Sequence, residues 1–148
     1  MKENQKVKYI PLIISISIAL IMLIASIVSI TINIRNDKYF SDGKMREVVV
    51  YQYPVNNFNI DFTKAPKELY RELFTNSLDI EKVFNNEFGG FNKIVIKDGV
   101  IKVVDSNCKY HNCWYTTISK TNFIKNTEIV CMPNGLIVVL EVVEWKLN

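Results

Sequence analysis

Three cysteines and one histidine are the residues of this chain best suited to specific chemistry. They lie in two short runs, Asn107-Cys108-Lys109-Tyr110-His111-Asn112-Cys113 and Ile129-Val130-Cys131-Met132-Pro133-Asn134. Three chemistries fit them. A disulfide can bridge Cys108 and Cys113 across a small loop, or Cys113 and Cys131 if their segments pair, and spacing does not choose between the two. A thiol left over from either bridge can exchange with it. Against exchange, the spacing is Cys-x4-Cys rather than Cys-x-x-Cys, and Cys131 sits in an apolar run where a thiol is usually inert. Finally, Cys108, His111, Cys113 and Cys131 form a three-sulfur, one-imidazole set that zinc accepts. Cys-x2-His-x-Cys is tighter than common finger spacings, however, and His111, the only histidine, reads as a loop residue. The leading expectation is a structural disulfide among Cys108, Cys113 and Cys131, with no metal and no cofactor.

No catalytic constellation accompanies them. One histidine and no nucleophile elbow leave no Ser/His/Asp set, and Gly89-Gly90 reads as a turn rather than a phosphate loop. Tyr51, Tyr53, Tyr70, Tyr110, Trp114 and Tyr115 offer stacking surface, but aromatics in a small β domain are mostly core. No enzymatic activity is expected.

The segments that must position these residues are mostly strands. Glu47 to Tyr53 is rich in β-branched and aromatic residues and stops at Pro54, and Asn59 to Phe62 alternates briefly. Thr63 caps, and Pro66 opens, an expected short amphipathic helix, with Leu69, Tyr70, Leu73 and Phe74 on one face. Leu78 to Phe84 leans to strand. Phe91 to Lys97 and Val100 to Asp105 flank Asp98-Gly99, a dipeptide suited to a tight hairpin. Thr116 to Ser119 and Glu128 to Met132 read as strands, Asn122 to Asn126 as a loop. Pro133-Asn134-Gly135 turns into an apolar strand, Leu136 to Val143. The last strands lack alternation, which implies burial on both faces. The expected fold is mainly β, a small antiparallel barrel or sandwich with one short amphipathic helix, preceded by a single transmembrane helix.

That helix is read from Tyr9 to Ile34, 26 residues without a charge. At about 1.5 Å per residue they span roughly 39 Å, enough for a hydrocarbon core with tilt to spare. A cleaved signal peptide has an apolar region of only about 7–15 residues, and no cysteine follows closely enough for lipoprotein processing. Residues 1–8 read as a cytoplasmic tail, 9–34 as an anchor embedded in the lipid bilayer, 35–46 as a linker and 47–148 as the β domain. Pro11 is expected in the first helical turn. Lys2, Lys6 and Lys8 precede the span, but Arg35, Lys38, Lys44 and Arg46 follow it, so flanking charge alone does not orient it. A short tail is the easier end to retain, which puts the β domain outside the cell membrane. From Arg35 onward, 15 basic residues face 14 acidic ones, a balance that lacks the footprint of a nucleic-acid binder.

The order Asp98-Gly99, Cys108-x4-Cys113, Ile118-Ser119, then Cys131 followed by Pro133 and Asn134 and an aliphatic strand, resembles the NusG domain II family over Glu47 to Glu144. Relatives usually carry a proline where this chain has Lys109, and a glycine and a tryptophan near Thr116-Thr117. The resemblance implies a small all-β, barrel-like domain in the stand-alone form that follows one membrane anchor. The polymerase-binding and KOW regions of NusG transcription factors are not in this sequence, so no transcription role is implied. The expected function is an extracytoplasmic binding or accessory module beside a membrane protein or redox carrier. The alternative is a thiol or electron-transfer accessory using Cys108, Cys113 and Cys131 directly.

Overall fold

The computed structural model describes residues 3–56 and 59–143, with side chains from Pro11 onward. It divides into two compact units, residues 1–36 and 37–148.

The first unit is carried by α1, Glu3–Lys38. Its apolar portion, Pro11–Lys38, has 28 residues and a mean hydropathy of 2.8, and none of it is buried. It is long and apolar enough to cross a membrane. Its hydroxyls return to the helix backbone: Ser17 Oγ donates to the Ile13 carbonyl and Ser26 Oγ to the Met22 carbonyl, each at 2.9 Å. A polar side chain on an apolar span is thereby satisfied without a partner. Pro11 lies inside the helix, not in its first turn. The polar residues from Glu3 onward continue the helix ahead of it.

The second unit is two four-stranded antiparallel sheets facing each other across an aliphatic core. One has the order β4-β1-β10-β9, with β1 Arg46–Gln52, β4 Lys67–Leu73, β9 Glu128–Cys131 and β10 Leu136–Val142. The other is β5-β6-β7-β8, with β5 Ile80–Asn85, β6 Phe91–Lys97, β7 Val100–Ser106 and β8 Thr117–Ser119. A small ladder joins β2 Val55–Asn56 to β3 Asn59–Ile60. Neither four-stranded sheet closes on itself, so the sandwich half of the expectation holds and the barrel half does not. Val48, Val50, Ile129, Leu136 and Val138 face Ile94, Ile96, Ile101, Val103 and Ile118 in one core. Each such side chain contributes about 1.5–3 kcal/mol by leaving water.

The β6–β7 hairpin turns at Asp98 (φ 51°) and Gly99 (φ 69°), two left-handed residues whose twist matches the flanking strands. Phe40, in the stretch read as a linker, is buried in the core. Beside it Arg46 lies 4.5 Å from the Phe40 ring and 4.3 Å from the Phe123 ring, and bonds Asp42 at 2.6 Å.

The expected amphipathic helix at 63–74 is instead strand β4. Its register against β1 pairs Val50 with Tyr70 but Tyr51 with Glu68, so Leu69 is an extra, bulged residue. The bulge lets Leu69 and Tyr70 both pack on the core, and Phe74 follows them in, fully buried. An interrupted period of two thus imitates helical spacing. On the other face Arg71 reaches Glu47 of β1 at 2.8 Å and Glu141 of β10 at 3.0 Å. That reach needs neighbouring strands.

Candidate functional site

The alternation of β6 sends Asn92, Ile94 and Ile96 inward and leaves Lys97 exposed. Asn92 is therefore a polar side chain at a core position, at the end of the sheet remote from the hairpin tip. Opposite it, β7 carries a second bulge. Lys93 pairs with Asp105 and Ile94 with Val103, which leaves Val104 as the extra residue. Ile101 and Val103 point inward before the bulge; past it the phase reverses, so Asp105 turns out and Ser106 turns in. Bulges commonly re-aim one side chain in this way.

The chain then supplies its sulfurs from three places. Cys108 follows β7. Cys113 sits in a single 3-10 turn, Asn112–Tyr115, entered through His111 at φ 50°. Cys131 ends β9 on the same inward face as Ile129. The three sulfurs lie within 4.8 Å of one another and all are buried. Cys108 and Cys113 are 3.9 Å apart. The sequence-predicted set is thus assembled except for His111, which is not among the residues that converge. Its ring lies against Trp114, 4.2 Å between centroids.

Hydrogen bonds around the sulfurs are oriented. The indole N–H of Trp114 donates to Ser106 Oγ at 3.0 Å. The Ser106 hydroxyl proton is thereby left for sulfur, with Cys108 Sγ at 3.2 Å and Cys113 Sγ at 3.8 Å. Asn134 Nδ2 donates to Asn92 Oδ1 at 2.9 Å, which turns the Asn92 amide nitrogen towards Cys113 Sγ, 3.7 Å away. The Cys113 thiol donates to Cys131, and this, with burial, pushes the Cys113 thiol far up. The same bond pulls the Cys131 thiol below its ordinary range against the opposing effect of burial, helped by the Asn92 amide and the Asn134 backbone N–H. Donors aimed at sulfur favour thiolate over thiol.

Asn134 ties this centre to the rest of the domain. Its side-chain nitrogen also donates to the Phe91 carbonyl at 2.8 Å, and its carbonyl accepts Gln52 Nε2 at 2.8 Å. Pro133 is the second residue of the 3-10 turn that carries it, Met132–Asn134, and Gly135 closes the turn at φ 66°. Ile118 is core, and the Ser119 backbone N–H donates to Asn122 Oδ1 at 2.6 Å. Asp98 and Gly99 stand at the far hairpin tip. These motif residues shape the fold around the sulfurs, and Asn134 also reaches Cys131 through its backbone N–H.

Over Cys108 opens a groove of about 710 Å³, bounded by the 86–90 turn, Val55, Tyr110 and Pro133. Phe88 (77% exposed) and Tyr110 (64% exposed) stand on its walls. Tyr115 is exposed and Trp114 partly so, so the aromatics of the cysteine loop are surface, not core as expected. Sequence reasoning did not single out Asn92 or Ser106. The alternation around Ile94 and Ile96 signals Asn92; no local signal reveals the bulge that turns Ser106 inward.

A family model described as NusG domain II matches residues 16–144. Among solved structures, a DUF1312 family protein from Enterococcus faecalis is similar over 67% of this chain and 99% of its own, with a TM-score of 0.50 and 20% identity. At that identity the likeness is one of fold. No curated protein matches.

Proposed function

Because this chain belongs to the NusG domain II family, we propose that it is a membrane-anchored accessory module whose β domain stands outside the cell membrane and binds a membrane protein or redox carrier. The observation that carries this reading is the groove over Cys108, open to solvent and walled by exposed aromatic side chains. Exposed aromatics beside polar groups are the usual composition of a recognition surface. The anchor, α1, tethers the β domain to the bilayer.

Photo-crosslinking in intact cells tests it. A crosslinker at Phe88 or Tyr110 captures a membrane protein or its carrier, while the same group at Asp98, on the far hairpin tip, captures none. Equal capture from all three positions overturns the groove assignment. Protease added to intact cells is expected to remove the β domain; its protection there overturns the outside placement.

A second reading, a thiol, disulfide or electron-transfer accessory, is favoured by the convergence of Cys108, Cys113 and Cys131. In an oxidising compartment Cys108 and Cys113, 3.9 Å apart, are one pair able to close the disulfide expected among the three cysteines, and Cys131 is then the thiol placed to exchange with it. Alkylation of the protein in cells, followed by mass spectrometry, separates a permanent disulfide from one that turns over.

A further inference from the structure

We propose that the reduced protein binds one cuprous ion in a trigonal site made by the sulfurs of Cys108, Cys113 and Cys131. This rests on the reading that the three sulfurs act as one centre, and not on the groove.

The spacing comes first. Sulfurs bonded to one ion at about 2.3 Å stand roughly 4 Å apart in a trigonal plane, whereas a disulfide brings them to about 2.05 Å. Cys108 and Cys113 are 3.9 Å apart, and all three sulfurs fall within 4.8 Å. Small χ1 adjustments bring the set around a common centre.

The ligand count selects the metal. Among the described residues, no imidazole or carboxylate joins the three sulfurs within that span. Structural zinc takes four ligands. A soft monovalent d10 ion accepts three thiolates, and all-sulfur donor sets favour it. All three cysteines are at most 3% exposed, which keeps water out of an open fourth position.

The surrounding donors supply what such a site needs. Binding releases thiol protons and leaves anionic sulfur in the interior, which is costly without hydrogen bonds. Trp114 donates to Ser106 Oγ, which leaves the one Ser106 proton available to a thiolate at Cys108 or Cys113, and Asn134 fixes Asn92 as a donor to Cys113. A disulfide makes little use of two donors held in these orientations. Partners that orient ligands from outside the coordination sphere are typical of metal centres. Cys108 also lines the groove, which gives the ion a way in.

The test uses the full chain in detergent, reduced and kept anaerobic, titrated with cuprous ion against a chromogenic chelator. One ion per chain is expected, with three sulfur neighbours by X-ray absorption and proton release on binding. Ser106→Ala keeps all three ligands and is expected to weaken affinity by about 10-fold or more; Cys131→Ser is expected to weaken it further, with its circular dichroism compared to the parent so that a folding loss is recognised. Unchanged affinity in both variants overturns the site, as does zinc binding that excludes copper. Three titratable thiols with no copper bound overturn the copper assignment while the shared-centre reading stands. A disulfide that mild reductant does not open overturns both.

Discussion

Trp114 donates its indole N–H to Ser106 Oγ across 3.0 Å, and that bond decides which way the serine proton points. Ser106 faces two sulfurs, and because the indole brings its own hydrogen to Oγ, the single serine proton is free to turn to one of them. Replacing Ser106 by alanine removes the donor and strips the indole of its protein partner. We expect about 1–2 kcal/mol of lost stability, read as a lower urea midpoint with an unchanged slope. Trp114→Phe is expected to cost less, because Ser106 keeps its sulfur contacts.

Asn134 is a sharper test of the polar core. Its Nδ2 faces the Phe91 carbonyl and Asn92 Oδ1 at 2.8 and 2.9 Å, with Asn107 Oδ1 at 3.4 Å. Asn134→Asp keeps the shape and exchanges a donor for an acceptor, so oxygen meets oxygen at a buried position. We expect about 2–4 kcal/mol of destabilisation, larger than for Asn134→Ala. An Asp variant as stable as the parent would falsify the assigned amide orientation.

Gly135 and Gly43 separate conformational strain from steric conflict. Both adopt left-handed φ, 66° and 73°. A Cβ at Gly135 meets the Tyr53 carbonyl oxygen at 2.4 Å and Val55 Cγ2 at 2.6 Å, whereas at Gly43 nothing lies within 4 Å. Gly43→Ala is expected to cost about 1 kcal/mol from strain alone. Gly135→Ala is expected to cost roughly 3 kcal/mol or more, because the opposing atom is backbone. Thermal melts of the two variants compare these directly.

The Asp42 carboxylate predicts an acid limb. Its hydrogen bond with Arg46 holds it down to about 2, from an ordinary value of 3.8. A carboxyl lowered in the fold stabilises fully above its unfolded value and loses that contribution as pH falls through the folded one. The stability difference between the parent and Asp42→Asn is therefore expected to be constant from neutral pH to about 5, to fall as pH drops through about 2, and to vanish near pH 1. A difference that persists undiminished at pH 1 assigns the effect to something other than the ion pair.

Local chemistry made much of this fold legible. Asp98-Gly99 announces its hairpin because two left-handed residues in succession have few other uses. β6 and β7 announce themselves as the apolar, β-branched runs on either side of that turn, and α1 announces itself by length and lack of charge. Each of these is decided within a few residues of chain.

The errors have one physical source. Leu69 and Tyr70 read as a helical face because a bulge, which exists only through pairing with β1, turns two successive residues to one side. The barrel expectation failed because strand count and spacing do not say whether a sheet closes. Ser106 escaped notice for the same reason as Leu69: its direction depends on where β7 slips against β6.

By itself, then, the sequence determined the long apolar helix, the family motif and the presence of three sulfurs in two short runs. Tertiary structure alone decided that Cys131 joins Cys108 and Cys113, that His111 stays apart, that Asn92 aims a donor at Cys113 and that the Ser106 hydroxyl lies against the sulfurs. Sheet packing brings β9 against the cysteine loop, and a bulge inverts the phase of β7. Both depend on pairing between residues far apart in the chain, which no local pattern encodes.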